Sequence, residues 1–421
     1  MKVLKATVNL PYATPDGAIV VTPGFKAGNG VYANIAPDAV AAIPEKPSGS
    51  DIISALMTLW MPWSGYRFAT ATDRAAMLSA IITAVCRAAL DIAPGYFFDA
   101  PVQASGKTKC AGALVALMRG KRGGITPFVE GSGVEAETVK KLVAMLLGGE
   151  SSWLIDNVVG TWRSPVIAGL ITSGNLSERI LGGNTCFNGD SRLMICATGN
   201  NAALDRDLGR RMIRVRIDPG VETPQSRNFS FDPIDMALAK RQEIAQAVLV
   251  VIRAFWQAKP KLDSNGDAGF SEWNKLVRQC VLWVGSTGYC EEAGIGSVGD
   301  PAHSIMEDSG VDDPDVAAHR MLLTGLNETF NGVMFQAKDV LQLWELGERR
   351  SIDEPNGMIR EALTAMLGRH AIPSSVSLGR VLRNRRDRWV SGLILRQAGK
   401  DRNDIALWMV ATAGLAGVSR E

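Results

Sequence analysis

The residues with the clearest chemistry follow one another at positions 104–109, where a strand is expected to end and a helix to begin. Binding a phosphate chain requires converging backbone N–H groups and the partial positive charge at a helix N-terminus. It also requires a lysine for the β- and γ-oxygens and a hydroxyl for magnesium. The chain has all of these parts, although Pro101 stands where the full phosphate-loop pattern has its first glycine. The predicted nucleotide-binding residues are Ala104, Ser105, Gly106, Lys107, Thr108 and Lys109.

A second polar site follows the apolar run 152–155, which ends in Asp156 and Asn157. A carboxylate at a strand end next to a phosphate loop holds the magnesium ion together with the loop hydroxyl, here Thr108. Asn157 occupies the position at which a glutamate usually polarises the attacking water. Asn157 itself orients the water, another carboxylate such as Glu178 or Glu150 does so, or hydrolysis is slow. The alternative is a buried strand that simply ends in a turn aspartate.

Two further polar signals come later in the chain. The apolar run 193–198 leads to the amide of Asn200, and Arg210 and Arg211 stand just before another apolar run. A guanidinium makes planar, permanently charged contacts to phosphate oxygens. The order is therefore a lysine and threonine, an acidic strand end, an amide strand end and an arginine pair.

The elements that must position these residues alternate between short apolar runs and helical periodicity. Strands are predicted at 96–100, 125–129, 153–155, 193–198 and 212–217, with helices at 106–118 and 135–147. Such alternation predicts an α/β fold, in which a largely parallel sheet is flanked by helices. Ligands on such sheets bind at the carboxyl ends of the strands.

With this order and spacing, the chain resembles the AAA+ ATPases, and most closely the superfamily 3-like replicative helicases of phages, prophages and plasmids. The resemblance implies that Ala197, Thr198 and Asn200 form the sensor 1 motif. It implies that Arg210 or Arg211 is an arginine finger reaching the γ-phosphate of a neighbouring subunit. The expected assembly is a homo-oligomer, most simply a hexameric ring, with ATP and Mg²⁺ as cofactors and with replication proteins as possible partners.

The same resemblance bears on three other segments. Arg179, in the run 177–182, would face the nucleotide, the subunit interface or the pore. Residues 185–192 contain Asn188-Gly189, a strong hairpin turn signal, and form either a DNA-gripping hairpin with Arg192 on one arm or a structural turn. The run 272–283 is predicted to be a lid helix, in which Arg278 is a candidate for the sensor 2 arginine.

The C-terminal block is predicted to be a winged helix, because three helical segments precede two β-prone runs. The third helix of such a domain enters the major groove of DNA, and the wing contacts phosphates. The alternative is that the basic residues of this block simply form a solvated surface. The predicted DNA-binding residues are Arg380, Arg383, Arg385, Arg386, Lys400 and Arg402.

The net charge of +2 in 421 residues does not by itself indicate a nucleic-acid partner. Between positions 369 and 402, however, nine residues are basic and two acidic, so the positive charge is concentrated in the C-terminal block. The six cysteines are never closer than ten positions, which argues against a zinc or redox site. No apolar run reaches the roughly 20 residues of a bilayer span. We therefore expect a cytoplasmic protein without a membrane partner.

The expected organisation is a β-hairpin or extended segment over 1–50, a helical segment over 51–92, an AAA+ core over 93–220, a helical lid over 221–290, an acidic linker over 291–320 and a winged helix over 321–412. The hairpin would pair 18–22 with 31–35. The expected function is that of an ATP- and magnesium-dependent DNA motor, a replicative helicase of a mobile element. Two alternatives remain: an AAA+ DNA-binding loader or switch that does not unwind DNA, and a winged-helix regulator with a degenerate phosphate loop.

Overall fold

The fold was analysed in a computed structural model that describes residues 3–36, 43–102, 104–131, 133–179, 186–220, 231–264, 267–307, 314–351, 353–368 and 371–412. The chain divides into two units, residues 1–309 and 310–421. None of the helices in these described segments is both long and apolar enough to cross a membrane.

The N-terminal segment forms short strands. They are β1 (Ala6–Val8), β2 (Tyr12–Ala13), β3 (Ile19–Val20), β4 (Gly24–Lys26) and β5 (Val31–Ala33). The predicted pairing of 18–22 with 31–35 is wrong, because β3 pairs with β2 and β5 pairs with β4. The turn at Gly28–Gly30 therefore joins β5 to β4, the nearer strand in the chain.

Two helices follow, α1 (Gly49–Trp60) and α2 (Ala71–Cys86). Each begins with a capping box: Ser48 with Asp51 for α1, and Thr70 with Asp73 for α2. In a capping box, two backbone donors that the first turn leaves unpaired are satisfied by side chains. Because α2 is buried over most of its length, it belongs to the interior of the first unit.

The central sheet is built from five parallel strands. They are β6 (Gly95–Ala100), β7 (Ile125–Pro127), β8 (Ser152–Val158), β12 (Met194–Asn200) and β14 (Met212–Arg216), in the spatial order β14-β6-β12-β8-β7. The helices between them are α3 (Lys107–Arg119), α4 (Val134–Leu147), α5 (Pro165–Ser173) and α6 (Arg206–Gly209). The short strands are β9 (Thr161–Trp162), β10 (Asn175–Arg179), β11 (Cys186–Asp190) and β13 (Ala203–Leu204). The predicted parallel sheet flanked by helices is therefore confirmed.

The rest of the first unit is helical. Its elements are α7 (Pro233–Ala239), α8 (Arg241–Ala258), α9 (Ser271–Trp273), a π-helical turn (Asn274–Arg278), α10 (Gln279–Gly285), α11 (Tyr289–Glu292) and α12 (His303–Glu307). Residues 291–307, which fall in the segment expected to be a solvated linker, instead pack on the core, where Ile295, Ala302 and Ile305 are buried. Asp300 in this segment pairs with Arg278, which is only 1% exposed. Because Arg278 is buried behind the carboxylates of Asp263 and Asp300, it does not have the accessibility that a sensor arginine requires.

The second unit has its own apolar core. Its elements are α13 (Pro314–Phe330), α14 (Ala337–Leu346), α15 (Pro355–Leu367), α16 (Ser375–Arg385), β15 (Trp389–Val390), β16 (Leu393–Lys400) and β17 (Ala406–Thr412). The three strands form one antiparallel sheet in the order β15-β16-β17. Leu378 and Leu382 of α16 and Trp408 of β17 are buried in that core.

Candidate nucleotide-binding site

The phosphate-loop residues lie at the carboxyl end of β6, where the chain turns into α3. Gly106 immediately precedes α3 with φ 88°, in the left-handed region where glycine is favoured. A Cβ at this position would approach the Tyr66 ring to 3.1 Å. The Tyr66 hydroxyl in turn donates a hydrogen bond to the Gly106 carbonyl, 3.2 Å away. Tyr66, which lies outside the run 104–109, thus holds the loop in place.

Thr108 and Asp156 meet directly, although 48 positions separate them in the chain. The Thr108 hydroxyl donates to Asp156 Oδ1 over 2.7 Å. The Thr198 hydroxyl donates to the same oxygen over 2.6 Å and accepts from the backbone N–H of Asn157 at 3.1 Å. Asn157 has φ 64°, a left-handed conformation that asparagine tolerates better than most residues. Thr198 therefore ties β12 to the end of β8.

Lys107 and Asn200 form the second contact across the sheet edge. Lys107 is 6% exposed, and its ammonium donates to Asn200 Oδ1 at 2.5 Å and to Ser105 Oγ at 3.1 Å. Burial lowers the pKa of Lys107, and the nearby carboxylates of Asp99 and Asp156 oppose that shift. The ammonium is thus a desolvated cation at the edge where ligands bind parallel sheets.

Asp99, at the carboxyl end of β6, joins three strands and was not identified from the sequence. It is 1% exposed, and its carboxylate accepts from the Asn201 backbone N–H at 2.9 Å and from Arg216 Nη1 at 2.8 Å. Burial raises the pKa of Asp99, while Arg216 acts to lower it. The sequence signal that could have revealed Asp99 is an acidic residue at the end of an apolar strand, two positions before Pro101.

The donor set fits a magnesium nucleotide. Mg²⁺ is usually held by one or two protein oxygen ligands, substrate phosphates and waters. The adjoining oxygens of Thr108 and Asp156 provide such a set next to the Lys107 ammonium. Lys109 lies apart from this group, because its ammonium pairs with Asp232 at 2.9 Å and its side chain is 61% exposed. Its predicted contact with the nucleotide therefore has no support in the geometry.

The structure places Arg210 and Arg211 at the other edge of the sheet, just before β14 begins. Arg210 pairs with Asp207 at 3.1 Å. Arg211 donates to the Thr172 hydroxyl at 2.5 Å and to the Asp207 carbonyl at 2.6 Å. The strands run in parallel, so these arginines are a strand length away from Lys107 and are not brought together with it. Glu150 lies at this amino edge too, paired with Arg119, which removes it as a candidate to activate water.

The hairpin signal at Asn188-Gly189 does not mark a turn. Both residues lie within β11, paired in antiparallel register with Ser177 and Leu176 of β10. The predicted turn is wrong because residues 175–179 supply a partner strand, and residues 180–185 between the strands lie outside the described residues. Arg192 is not on an exposed arm either, since it is only 7% exposed and pairs with Asp91.

The predicted DNA-binding residues surround α16 and the β16–β17 connection in the second unit. Most are exposed, and Arg385 is half-buried. Lys400 pairs with Asp404 at 2.7 Å, and Arg386 donates to Gln397 Oε1 at 3.4 Å. The six side chains belong to Arg380, Arg383, Arg385, Arg386, Lys400 and Arg402.

Comparison with known proteins gave structural likenesses only: no protein-family model and no curated protein matches the chain. The apo A form of the NrS-1 C-terminal region is 13% identical, with 92% of this chain and 84% of that chain covered at a TM-score of 0.41. The active helicase Cch of SCCmec type IV is 12% identical, with 91% and 73% covered at 0.33. The JCV helicase is 15% identical, with 59% and 74% covered at 0.25. At these values, function has to be argued from the geometry of the site.

Proposed function

We propose that this chain is an ATP- and magnesium-dependent motor ATPase that acts on DNA. One observation carries the proposal: residues from three separate parts of the chain meet at the carboxyl edge of the sheet, with Thr108 bonded to Asp156 and Lys107 bonded to Asn200. A lysine, a hydroxyl, a carboxylate and an amide at one strand edge are the groups that phosphoryl transfer needs.

Each group has a distinct part in this proposal. The backbone of residues 104–108 and the N-terminus of α3 would bind the phosphate chain, and Lys107 would neutralise its β- and γ-oxygens. Thr108 and Asp156 would hold the magnesium ion, which supplies charge neutralisation when bound. Asn200 would orient the γ-phosphate or the attacking water, and Asn157 is the nearest side chain that could assist it.

The arginine pair supports a homo-oligomeric assembly such as a hexameric ring. Arg210 and Arg211 lie at the opposite edge from Lys107, so in this proposal they serve the nucleotide of a neighbouring subunit. An arginine supplied in this way contributes on the order of 10³-fold or more to phosphoryl transfer.

DNA binding is assigned to the second unit as a winged helix. The helices α14, α15 and α16 followed by the β16–β17 hairpin have the order of such a domain. Leu378 and Leu382 are buried, whereas Arg380, Arg383 and Arg386 are exposed and point away from the core. In this proposal α16 enters the major groove and Lys400 and Arg402 contact phosphates.

The test compares two neighbouring lysines of α3. We expect Lys107→Ala to lower ATP turnover by on the order of 100-fold or more, because it removes a preorganised charge from the transferring phosphate. Lys109→Ala, whose lysine pairs with Asp232, serves as the matched control and is expected to retain turnover. Equal turnover in the Lys107→Ala variant and the parent chain would refute the ATPase assignment.

A forked DNA substrate then separates a helicase from a loader. A helicase releases the labelled strand when ATP and magnesium are present, whereas a loader hydrolyses ATP and releases none. Magnesium-dependent hydrolysis itself distinguishes both from a regulator with a degenerate phosphate loop.

A further inference from the structure

Arg216 is the last residue of β14 and lies beside Asp99 of β6 at the carboxyl edge of the sheet. Its backbone is fixed on both sides, because its N–H donates to Asp73 Oδ1 at 2.8 Å and its carbonyl accepts from the Ala69 N–H at 3.0 Å. Asp73 belongs to the capping box of the buried helix α2. The backbone of Arg216 is thus anchored to the interior of the first unit, and its side chain is left to bind the neighbouring strand ends.

The Arg216 guanidinium binds side chains from two other strand ends. Its Nη1 atom donates to the buried carboxylate of Asp99, at Oδ2, over 2.8 Å. Its Nη2 atom donates over 3.4 Å to Oδ1 of Asn201, the residue directly after β12. The Asn201 backbone N–H donates to the other oxygen of Asp99 at 2.9 Å. The three residues therefore form a closed set of hydrogen bonds that joins the carboxyl ends of β6, β12 and β14.

Asn201 connects this set of hydrogen bonds to the candidate nucleotide-binding site at two points. Its Nδ2 atom donates at 3.3 Å to the carbonyl of Pro101, where the chain leaves β6 for the phosphate loop. It is also the next residue after Asn200, whose amide oxygen accepts from Lys107. Asn201 has φ 49°, a left-handed conformation that asparagine tolerates better than most residues. A displacement of Asn201 would therefore move both the start of the phosphate loop and the amide of Asn200.

Given the ATPase function proposed above, on which this inference rests, we propose that Arg216 is a positioning residue that keeps the amide of Asn200 directed at the transferring phosphate or the attacking water. It acts through its bonds to Asp99 and Asn201 rather than by contact with the nucleotide. A planar guanidinium binds two acceptors in a fixed geometry, whereas the ammonium of a lysine is a single point of charge. A misplacement of about 1 Å costs on the order of 100-fold in rate, so a residue outside direct contact can control turnover.

Two variants test this role without leaving the buried carboxylate of Asp99 unpaired. Arg216→Lys keeps a cation beside Asp99 and loses the second donor group, which reaches Asn201. Asn201→Gly removes the side-chain bonds of an exposed residue, keeps the backbone N–H that Asp99 accepts from, and suits the left-handed backbone. The matched control is Arg122→Lys, which changes an arginine paired with Asp235 at the surface.

We expect Arg216→Lys and Asn201→Gly each to lower kcat for ATP about 10-fold and to change KM by less than about 3-fold, because the amide of Asn200 serves the chemical step. Both changes break the same contact, so the double variant should have a kcat within about 3-fold of either single variant. Independent effects would instead multiply to about 100-fold. The control should keep the parental kcat. Thermal unfolding of each chain shows that it is folded at the temperature of the assay.

Parental kcat in the folded variants would overturn the proposal even if their unfolding temperatures fall, because the hydrogen bonds would then be structural only. A raised KM at unchanged kcat, or losses that multiply in the double variant, would overturn it too. Asn201→Gly decides alone if Arg216→Lys fails to fold, since Asn201 is exposed. A parent chain that hydrolyses ATP no faster than its variants refutes this inference alone, whereas a parent chain without turnover refutes the ATPase function and this inference with it.

Discussion

The hydroxyl of Thr198 offers a direct test of how the candidate site is held together. Thr198 is 1% exposed, donates to Asp156 Oδ1 at 2.6 Å and accepts from the Asn157 N–H at 3.1 Å. Thr198→Val keeps the shape of the side chain and removes only this hydroxyl. Thr198→Ser keeps the hydroxyl and removes only a methyl group, so the two variants separate hydrogen bonding from packing.

The expected loss can be estimated from these contacts. A hydrogen bond to a charged group contributes about 1.5–3 kcal/mol, and the bond from a neutral amide contributes about 1 kcal/mol. Because Asp156 keeps its bond from Thr108, we expect Thr198→Val to lower the free energy of unfolding of the first unit by about 3 kcal/mol. Losing one buried methyl in Thr198→Ser costs about 1 kcal/mol.

The assay is urea unfolding followed by tryptophan fluorescence, with Trp153 in the adjoining strand β8. For a denaturant slope of about 3 kcal/mol per molar, the valine variant should unfold at about 1 M less urea than the parent and the serine variant at about 0.3 M less. ATP turnover should fall in the valine variant alone, because Asp156 and Asn157 lose their common anchor. A valine variant as stable as the serine variant would refute the reasoning.

Two further predictions concern the first unit. Cys186 is the exposed thiol among the six cysteines, and burial raises the pKa of the other five. One thiol per chain should therefore react rapidly with an aromatic disulfide reagent, and Cys186→Ser should abolish this rapid reaction. Arg278→Met, which leaves Asp263 and Asp300 without their shared cation, should lower the free energy of unfolding by about 3 kcal/mol in urea titrations. Lys140→Met breaks an exposed ion pair and should cost less than about 1 kcal/mol. Rapid reaction of several thiols, or equal losses in the two ion-pair variants, would contradict these expectations.

The sequence was informative where chemistry and local periodicity lie in short runs. The phosphate-loop residues, the acidic end of the run at 152–155 and the amide at Asn200 could be located because each closes an apolar strand pattern. The helix at 106–118 and the strand at 96–100 were located to within one residue of α3 and β6. Such features depend on neighbours a few positions away, which the sequence contains.

The same local reasoning failed where a partner comes from elsewhere in the chain. Asn188-Gly189 has a strong turn composition, yet β10 pairs across it and makes it part of a strand. Arg278 and Arg192 are each charged residues that composition places at a surface, yet both are buried against carboxylates. Neither burial nor pairing can be inferred without knowing which distant segment covers the side chain.

By itself, then, the sequence determined that a lysine, a hydroxyl, a carboxylate and an amide stand at strand ends in an α/β fold. The tertiary structure decided the order of the strands, and with it which of these residues meet. Placing β12 between β6 and β8 is what brings Asn200 to Lys107 and Thr198 to Asp156, and it leaves Arg210 and Arg211 at the opposite edge. Strand order depends on contacts between segments that are dozens of residues apart, because it is set by how the helices between the strands pack across the sheet.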